Sequence, residues 1–341
     1  MAWNVEPPPR QSQATPAAYA PYDASPSAVT APRTTADRSG LDSAKAVQWD
    51  SMLSESTKVL VVAPHPDDET LAAAGLIQRA LARRAPIRIV YVTNGDGYFE
   101  AVAAQLKERT PSAEDFRRYG RQRQAEAAEA QLALGVPASW LTFLGFPDGG
   151  LAALWGPYWC ALEPYVSPFT ELSQTLSQPA LQYRGVELER RLLRILTEWQ
   201  PGVVVVPDPR DTHPDHCTAG LFMLAAVRAA REKGAIPPPI VLGYLVHFPG
   251  YPGEPSWSDQ AAASGTCGAR QGRPLLAGSG WISVRLENEQ VAAKQEALGR
   301  YASQVRVMRP FFQQFVRNEE WFSRLDPSVN GLSLSHPPCN R

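Results

Sequence analysis

The sequence predicts an α/β protein, a Rossmann-like three-layer fold with a mostly parallel sheet. Three observations predict it: short apolar runs rich in β-branched residues, helically spaced stretches between them, and Gly-, Pro- or Asp-rich turns after them. Val59-Leu60-Val61-Val62-Ala63 has no polar side, as a strand covered on both faces requires. A helix is expected from Glu69 to about Arg84 and a second strand over Ile87 to Val92, which together make a βαβ unit. The stretch from about Phe116 to Leu134 reads as a long helix, with Gly135 where a C-cap glycine belongs. Trp140 to Leu144 is the third strand, leaving through Gly145 to Gly150. Helical spacing returns from about Val186 to Trp199, before the strand Val203 to Val206. A further helix follows from about Asp215 to Lys233, then a strand over Ile240 to Val246. Trp281-Ile282-Ser283-Val284 is the last apolar run, with helices expected near 287–303 and 309–323.

A chain of 341 residues accommodates one large domain, placed over 49–328. Residues 1–48, with Pro7, Pro8, Pro9, Pro16, Pro21, Pro26 and Pro32 and few large aliphatics, are expected to be a disordered tail. Residues 329–341 form a short C-terminal tail. The aromatic-rich segment 151–180 and the Gly-, Pro- and Ser-rich segment 249–280 read as insertions.

Thirty-three basic against 34 acidic residues leave a charge of -1, which argues against nucleic acid as a partner. Stable membrane insertion is not expected, since no run approaches the ~20 apolar residues of a span. The start Met1-Ala2-Trp3-Asn4 lacks a signal-peptide pattern. Cys160, Cys217, Cys267 and Cys339 form no CxxC pair, so reduced thiols in a cytoplasmic protein are the expectation, with Cys217 a small buried hydrophobe. The expected partner is a small molecule close to neutral; self-association is left open.

Right-handed crossovers place every strand-to-helix loop at the carboxyl edge of such a sheet, where these folds bind ligands. Of the five histidines, three fall in two such loops, His65-Pro66-Asp67-Asp68-Glu69 and His213-Pro214-Asp215-His216. His65 and Asp68, like His213 and His216, are three apart at a helix entrance and can point the same way. Two imidazoles and one carboxylate with an open position make a catalytic zinc arrangement. His65, Asp68 and His216 are assigned to the metal, and the set also suits Fe2+ or another divalent ion. Zinc can lower the pKa of bound water to about 7. Asp67 is then free to act as general base, and His213 to donate to an oxyanion or to the leaving amine. Asp215 can orient an imidazole, although spacing does not say which. A single His-Pro-Asp turn is more often a helix cap; two of them after two strands favour a metal.

Ala63-Pro64-His65-Pro66-Asp67-Asp68-Glu69-Thr70, followed far downstream by His213-Pro214-Asp215-His216, resembles the signature of the PIG-L/LmbE-like deacetylase family. Arg123-Gln124-Ala125-Glu126-Ala127, Phe146-Pro147-Asp148-Gly149-Gly150-Leu151 and the Lys294-to-Gln304 segment are similar to family segments too, so the resemblance covers about 58–325. It implies a Rossmann-like fold and zinc-dependent removal of acetyl from an N-acetylglucosaminyl-type amino sugar or glycoside. It further implies His65, Asp68 and His216 as zinc ligands, Asp67 as base, His213 as oxyanion or acid group, and Asp215 as its partner. Arg123 matches a substrate-contacting arginine, with Arg121 close by. The family's usual Ala-His opening is Pro64-His65 here.

Two other readings compete. The same ligands form the facial triad of non-haem iron oxygenases, against which Asp67 speaks, because hydrolysis needs a base. A non-catalytic sugar- or nucleotide-binding module would be expected to carry a GxGxxG turn after the first strand, where this chain has Pro64-His65-Pro66. His247, after a predicted strand end, is placed either in the cleft or in a structural role.

Overall fold

The computed structural model describes residues 52–327, apart from 107–108, 178, 249 and 253–280. The expectations for 1–48, 329–341 and most of 249–280 lie outside the described residues. The strands are β1 (Val59–Ala63), β2 (Ile87–Thr93), β3 (Leu141–Phe146), β4 (Val203–Pro207), β5 (Ile240–Tyr244), β6 (Trp281–Arg285) and β7 (Glu319–Leu325). The described helices are α1 (Asp68–Ala82), α2 (Phe99–Leu106), α3 (Ala113–Ala133), α4 (Leu151–Trp155), α5 (Gly185–Trp199), α6 (Pro214–Glu232), α7 (Asn288–Arg300) and α8 (Ala302–Gln314).

The sheet order is β3-β2-β1-β4-β5-β7-β6. The first five strands are mutually parallel, and β7 runs antiparallel to both β5 and β6. The mostly parallel sheet read from the sequence is therefore the one observed. Alternation along the central strands shows why they carry no polar residue. Val59, Val61 and Ala63 pack with Leu71, Ala127, Leu298 and Phe312 on one face. Leu60 and Val62 join Val204, Val206, Leu192 and Phe222 on the other. Both faces being covered, each residue of β1 and β4 is buried.

The structure corrects several boundaries. The helix expected over 309–323 ends at Gln314, and Glu319–Leu325 is a strand. Glu320 and Ser323 are buried in it, so the apolar period that would announce a strand is broken. Helix α2 was not expected. Helix α3 begins before Phe116, because Ser112 and Asp115 form a reciprocal capping box. Gly135 takes the predicted position after it, at φ +91°. In the 151–180 segment, Trp159 is buried and stacks on Phe222 at 5.8 Å, so it fills the core. Cys160 and Cys217 are both disulfide-bonded. That overturns the expectation of reduced thiols at these two positions. No described helix is long and apolar enough to cross a membrane.

Helix α1, whose first turn carries the candidate site, is broken at Ala73 (φ −136°, ψ 16°). The groups released by the break find buried partners. Lys294 Nζ donates to the Leu71 carbonyl at 2.7 Å and to Glu320 Oε1 at 2.8 Å. Glu320 accepts from the Gly75 and Leu76 amides at 2.9 and 3.1 Å. Removing one partner of a buried pair strands the other charge. Lys294→Met should therefore cost about 3–5 kcal/mol in urea unfolding. A loss below about 1 kcal/mol, within the range of an exposed pair, would show that this pair does not hold the break together.

Candidate metal centre

β1 and β4 are parallel neighbours, so the two histidine turns that follow them lie side by side at the carboxyl edge of the sheet. Each turn opens a helix. Asp67 is the N-cap of α1, and His213 is the N-cap of α6, with Pro214 in the first turn. His65, Asp68 and His216, the three residues assigned to a metal, are all buried, and each offers a ligand atom within 4.8 Å of the others. Asp68 Oδ2 lies 3.2 Å from His65 Nδ1 and 3.2 Å from His216 Nε2. Tetrahedral ligands bound at about 2.0–2.1 Å would stand about 3.3–3.4 Å apart, so these spacings fit a divalent ion.

Two further observations bear on that fit. His216 is fully buried, with Nε2 against Asp68 and Nδ1 3.4 Å from Asp211 Oδ2, yet neither nitrogen makes a hydrogen bond of proper geometry. The surroundings are also rich in acid: Asp67, Asp68, Asp148, Asp211 and Asp215 are all buried there. Burial opposes a proton on His216, but Asp68 and Asp211 outweigh it and push the pKa up to about 9. Burial likewise opposes one on His65, where Asp148, Asp215 and Asp68 prevail and raise it well above the usual range. The site favours positive charge at the point where a metal would sit.

The base candidate is held under strain. Asp67 has φ 149°, a region that side chains other than glycine rarely occupy. Arg123, only 4% exposed, clamps its turn: Nη2 donates to Asp67 Oδ2 and to the Pro66 carbonyl, both at 2.9 Å, and Nη1 to the Gly95 carbonyl at 2.8 Å. Gly95 has φ +61°, and a Cβ there would lie 1.8 Å from Arg123 Nη1, so any side chain at this position would displace the clamp. Glu69 Oε2 accepts the Asp67 amide at 3.2 Å, and Glu69 is itself bonded by Tyr301, Thr70 and Gln131. Arg123, matched by resemblance to a substrate-contacting arginine, thus spends its guanidinium on the protein. Arg121 pairs with Glu114 at the surface.

His213 Nδ1 accepts the Asp215 amide at 3.2 Å, which leaves Nε2 to carry the proton in the neutral ring. Burial, with the charges of His65 and His216, lowers its pKa well below the usual value and keeps it neutral. The Asp215 carboxylate does not orient His213, the partner that the resemblance implies. It lies 3.4 Å from His65 Nε2 and accepts the Gly149 and Leu151 amides. Asp148 Oδ1 stands 3.0 Å from the same nitrogen. Carboxylates on the far nitrogen of a metal-binding imidazole fix its orientation.

Asp148 and Asp211 are the site residues that sequence reasoning missed. Asp148 was visible in the Phe146-to-Leu151 segment but had no assigned role. Asp211 accepts the His213, Val246 and His247 amides at 2.9, 2.8 and 3.0 Å, joining both sides of the centre. Its only signal was a position two residues before His213. His247 does reach the centre: its ring lies 4.8 Å from that of His216 and 5.1 Å from that of His213.

Fold and site together define an α/β protein with a buried two-histidine, one-aspartate donor set at its sheet edge. Residues 60–227 match the family described as PIG-L, GlcNAc-PI de-N-acetylase. It is 32% identical over 180 residues to a 1D-myo-inositol 2-acetamido-2-deoxy-alpha-D-glucopyranoside deacetylase of Nocardia farcinica, covering 52% of this chain and 53% of the relative. The protein of the same description from Saccharomonospora viridis is 33% identical over 184 residues, covering 52% and 59%. The chain thus spans little more than half the length of the curated relatives it matches. Among solved structures, a deacetylase triple mutant from the teicoplanin biosynthetic pathway superposes with a TM-score of 0.50 at 16% identity, covering 80% of this chain and 100% of that one. That likeness establishes the shared fold.

Burial pushes the Asp67 pKa up to about 7, and the positive charge of Arg123 opposes the rise. Removing that charge should send it higher. Carbon-13 spectra of labelled aspartate should show Asp67 losing its proton at higher pH in Arg123→Gln than in the parent, and an unchanged or lower titration would remove Arg123 as its counter-charge.

Proposed function

We propose that the chain is a zinc-dependent N-deacetylase acting on an N-acetylglucosaminyl-type amino sugar or glycoside. The observation that carries this reading is the strained, buried carboxylate of Asp67 beside a donor set that has no need of it as a ligand. The relatives named as deacetylases of an acetamido-glucopyranoside support the substrate class. We assign the catalytic domain to 49–328, and a compartment that tolerates the disulfides of Cys160 and Cys217.

Hydrolysis adds water across the amide: the C–N bond breaks, the water oxygen joins the acyl carbon as carboxylate, and the nitrogen leaves protonated. His65, Asp68 and His216 would hold the zinc, which when bound supplies Lewis acidity and a water that ionises near neutral pH. Asp67 takes the proton from the attacking water, and a base with a pKa near 7 suits that task. Arg123 and Glu69 keep the carboxylate in place. Neutral His213 donates from Nε2 to the developing oxyanion, and the same proton is available to the departing amine. Asp148 and Asp215 fix the His65 ring from behind. An iron oxygenase on the same ligands would have no task for Asp67, which favours hydrolysis.

The test is release of acetate from a panel of N-acetylglucosaminyl glycosides. Activity should vanish with chelator and return with Zn2+. Asp67→Asn should keep its metal and lose at least about 100-fold in kcat. Turnover that survives chelation, or that persists undiminished in Asp67→Asn, would end this reading.

A further inference from the structure

The two flanks of the centre differ in chemistry. Sheet order places β2 and β3 on one side of the histidine turns and β5 on the other. The β2–β3 side is polar: Arg123 and the Gly95 carbonyl stand there, together with the buried carboxylates of Asp96 and Asp148. The β5 side is aromatic. The His247 ring lies parallel to Phe311 at 5.2 Å and 7°. Behind them Phe315 packs on Phe311 at 5.2 Å and Tyr251 on Phe315 at 6.0 Å. The backbone of His247 is fixed through Asp211 and through its carbonyl, which accepts the Thr212 amide at 3.0 Å. The residue is only partly buried.

An N-acyl amino sugar also has two unlike ends, a hydroxyl-rich ring on nitrogen and a hydrocarbon on the acyl carbon. With the amide held between the two histidine turns, the ends must run in opposite directions along the sheet edge. Hydroxyls match the carboxyl groups of the β2–β3 side; hydrocarbon matches the aromatic wall. We infer that His247 and Phe311 form the acyl subsite, and that this wall limits the acyl group to a short chain. The inference rests on the deacylase reading and adds to it the direction in which the amide lies. The depth is small: the His247 ring is about 5 Å from the rings of His213 and His216, and non-bonded carbon atoms already need about 3.5–4.0 Å.

The test compares kcat/KM for N-acetyl, N-butyryl and N-hexanoyl derivatives of one glucosaminide, and for N-acetyl glucosaminides with aglycones of increasing size. The parent protein, His247→Ala and Phe311→Leu are used, each zinc-loaded and checked by thermal melting. The parent should prefer acetyl. Both variants should shift the hexanoyl-to-acetyl ratio upward by about tenfold or more, the discrimination that even one methylene can command, while ratios along the aglycone series stay within about twofold. In parallel, acetate and hexanoate are titrated against each protein by calorimetry, where the variants should gain affinity for hexanoate relative to acetate. Unchanged acyl ratios in turnover and binding, or a shift along the aglycone series in their place, would overturn the inference. If no glucosaminide is turned over but the carboxylate preference still shifts, the acyl wall stands and the deacetylase reading falls.

Discussion

The structure turns on one electrostatic constraint. Asp67, Asp68, Asp148, Asp211 and Asp215 are buried around His65 and His216, with Arg123 as the guanidinium among them. Carboxylates in a low-dielectric interior are costly unless cations or hydrogen bonds answer them. The protein answers by pointing backbone amides at them. Asp211 takes three, Asp215 takes two, and Asp68 takes the amide of His65. The imidazoles are drawn toward the protonated state by the same carboxylates, and a divalent cation would satisfy that demand without a proton on either ring.

The same constraint explains why the centre sits at helix entrances. Amides at the start of a helix lack partners within it, so α6 offers the His213 amide to Asp211 and α4 the Leu151 amide to Asp215. The strain at Asp67 follows from placing two adjacent carboxylates in unlike roles. Asp68 continues into the helix and faces His65 and His216, while Asp67 is turned away at φ 149° toward Arg123. Arg123 from α3 and Glu69 hold that turn from two sides, and Tyr301, at the junction of α7 and α8, bonds Glu69 in turn. The C-terminal helices therefore support the centre without contributing a ligand.

Much of this was legible in the sequence, for particular reasons. β1 and β4 have apolar residues at every position because both faces are covered, and that pattern is hard to mistake. His65, Asp68 and His216 were legible as a set because strand ends and three-residue spacing converge on one edge. Asp148 and Asp211 were not, since an aspartate in a loop looks the same whether it caps a turn or buttresses an imidazole. The orientation of Asp215 toward His65 depends on how the β3 loop folds back over α6, which no local pattern encodes. β7 was misread because an inward-facing Glu320 serves the break in α1, so a distant backbone requirement overrode the local period.

The central claim is that His65, Asp68 and His216 together make a metal centre. X-ray absorption at the metal edge of the purified protein, with metal content measured on the same sample, tests it directly. One divalent ion per chain is expected, with a nitrogen and oxygen shell at about 2.0–2.1 Å, including imidazole scattering, and loss of the ion in His216→Ala. A protein that binds no ion, or one that binds it equally well without His216, would contradict the account.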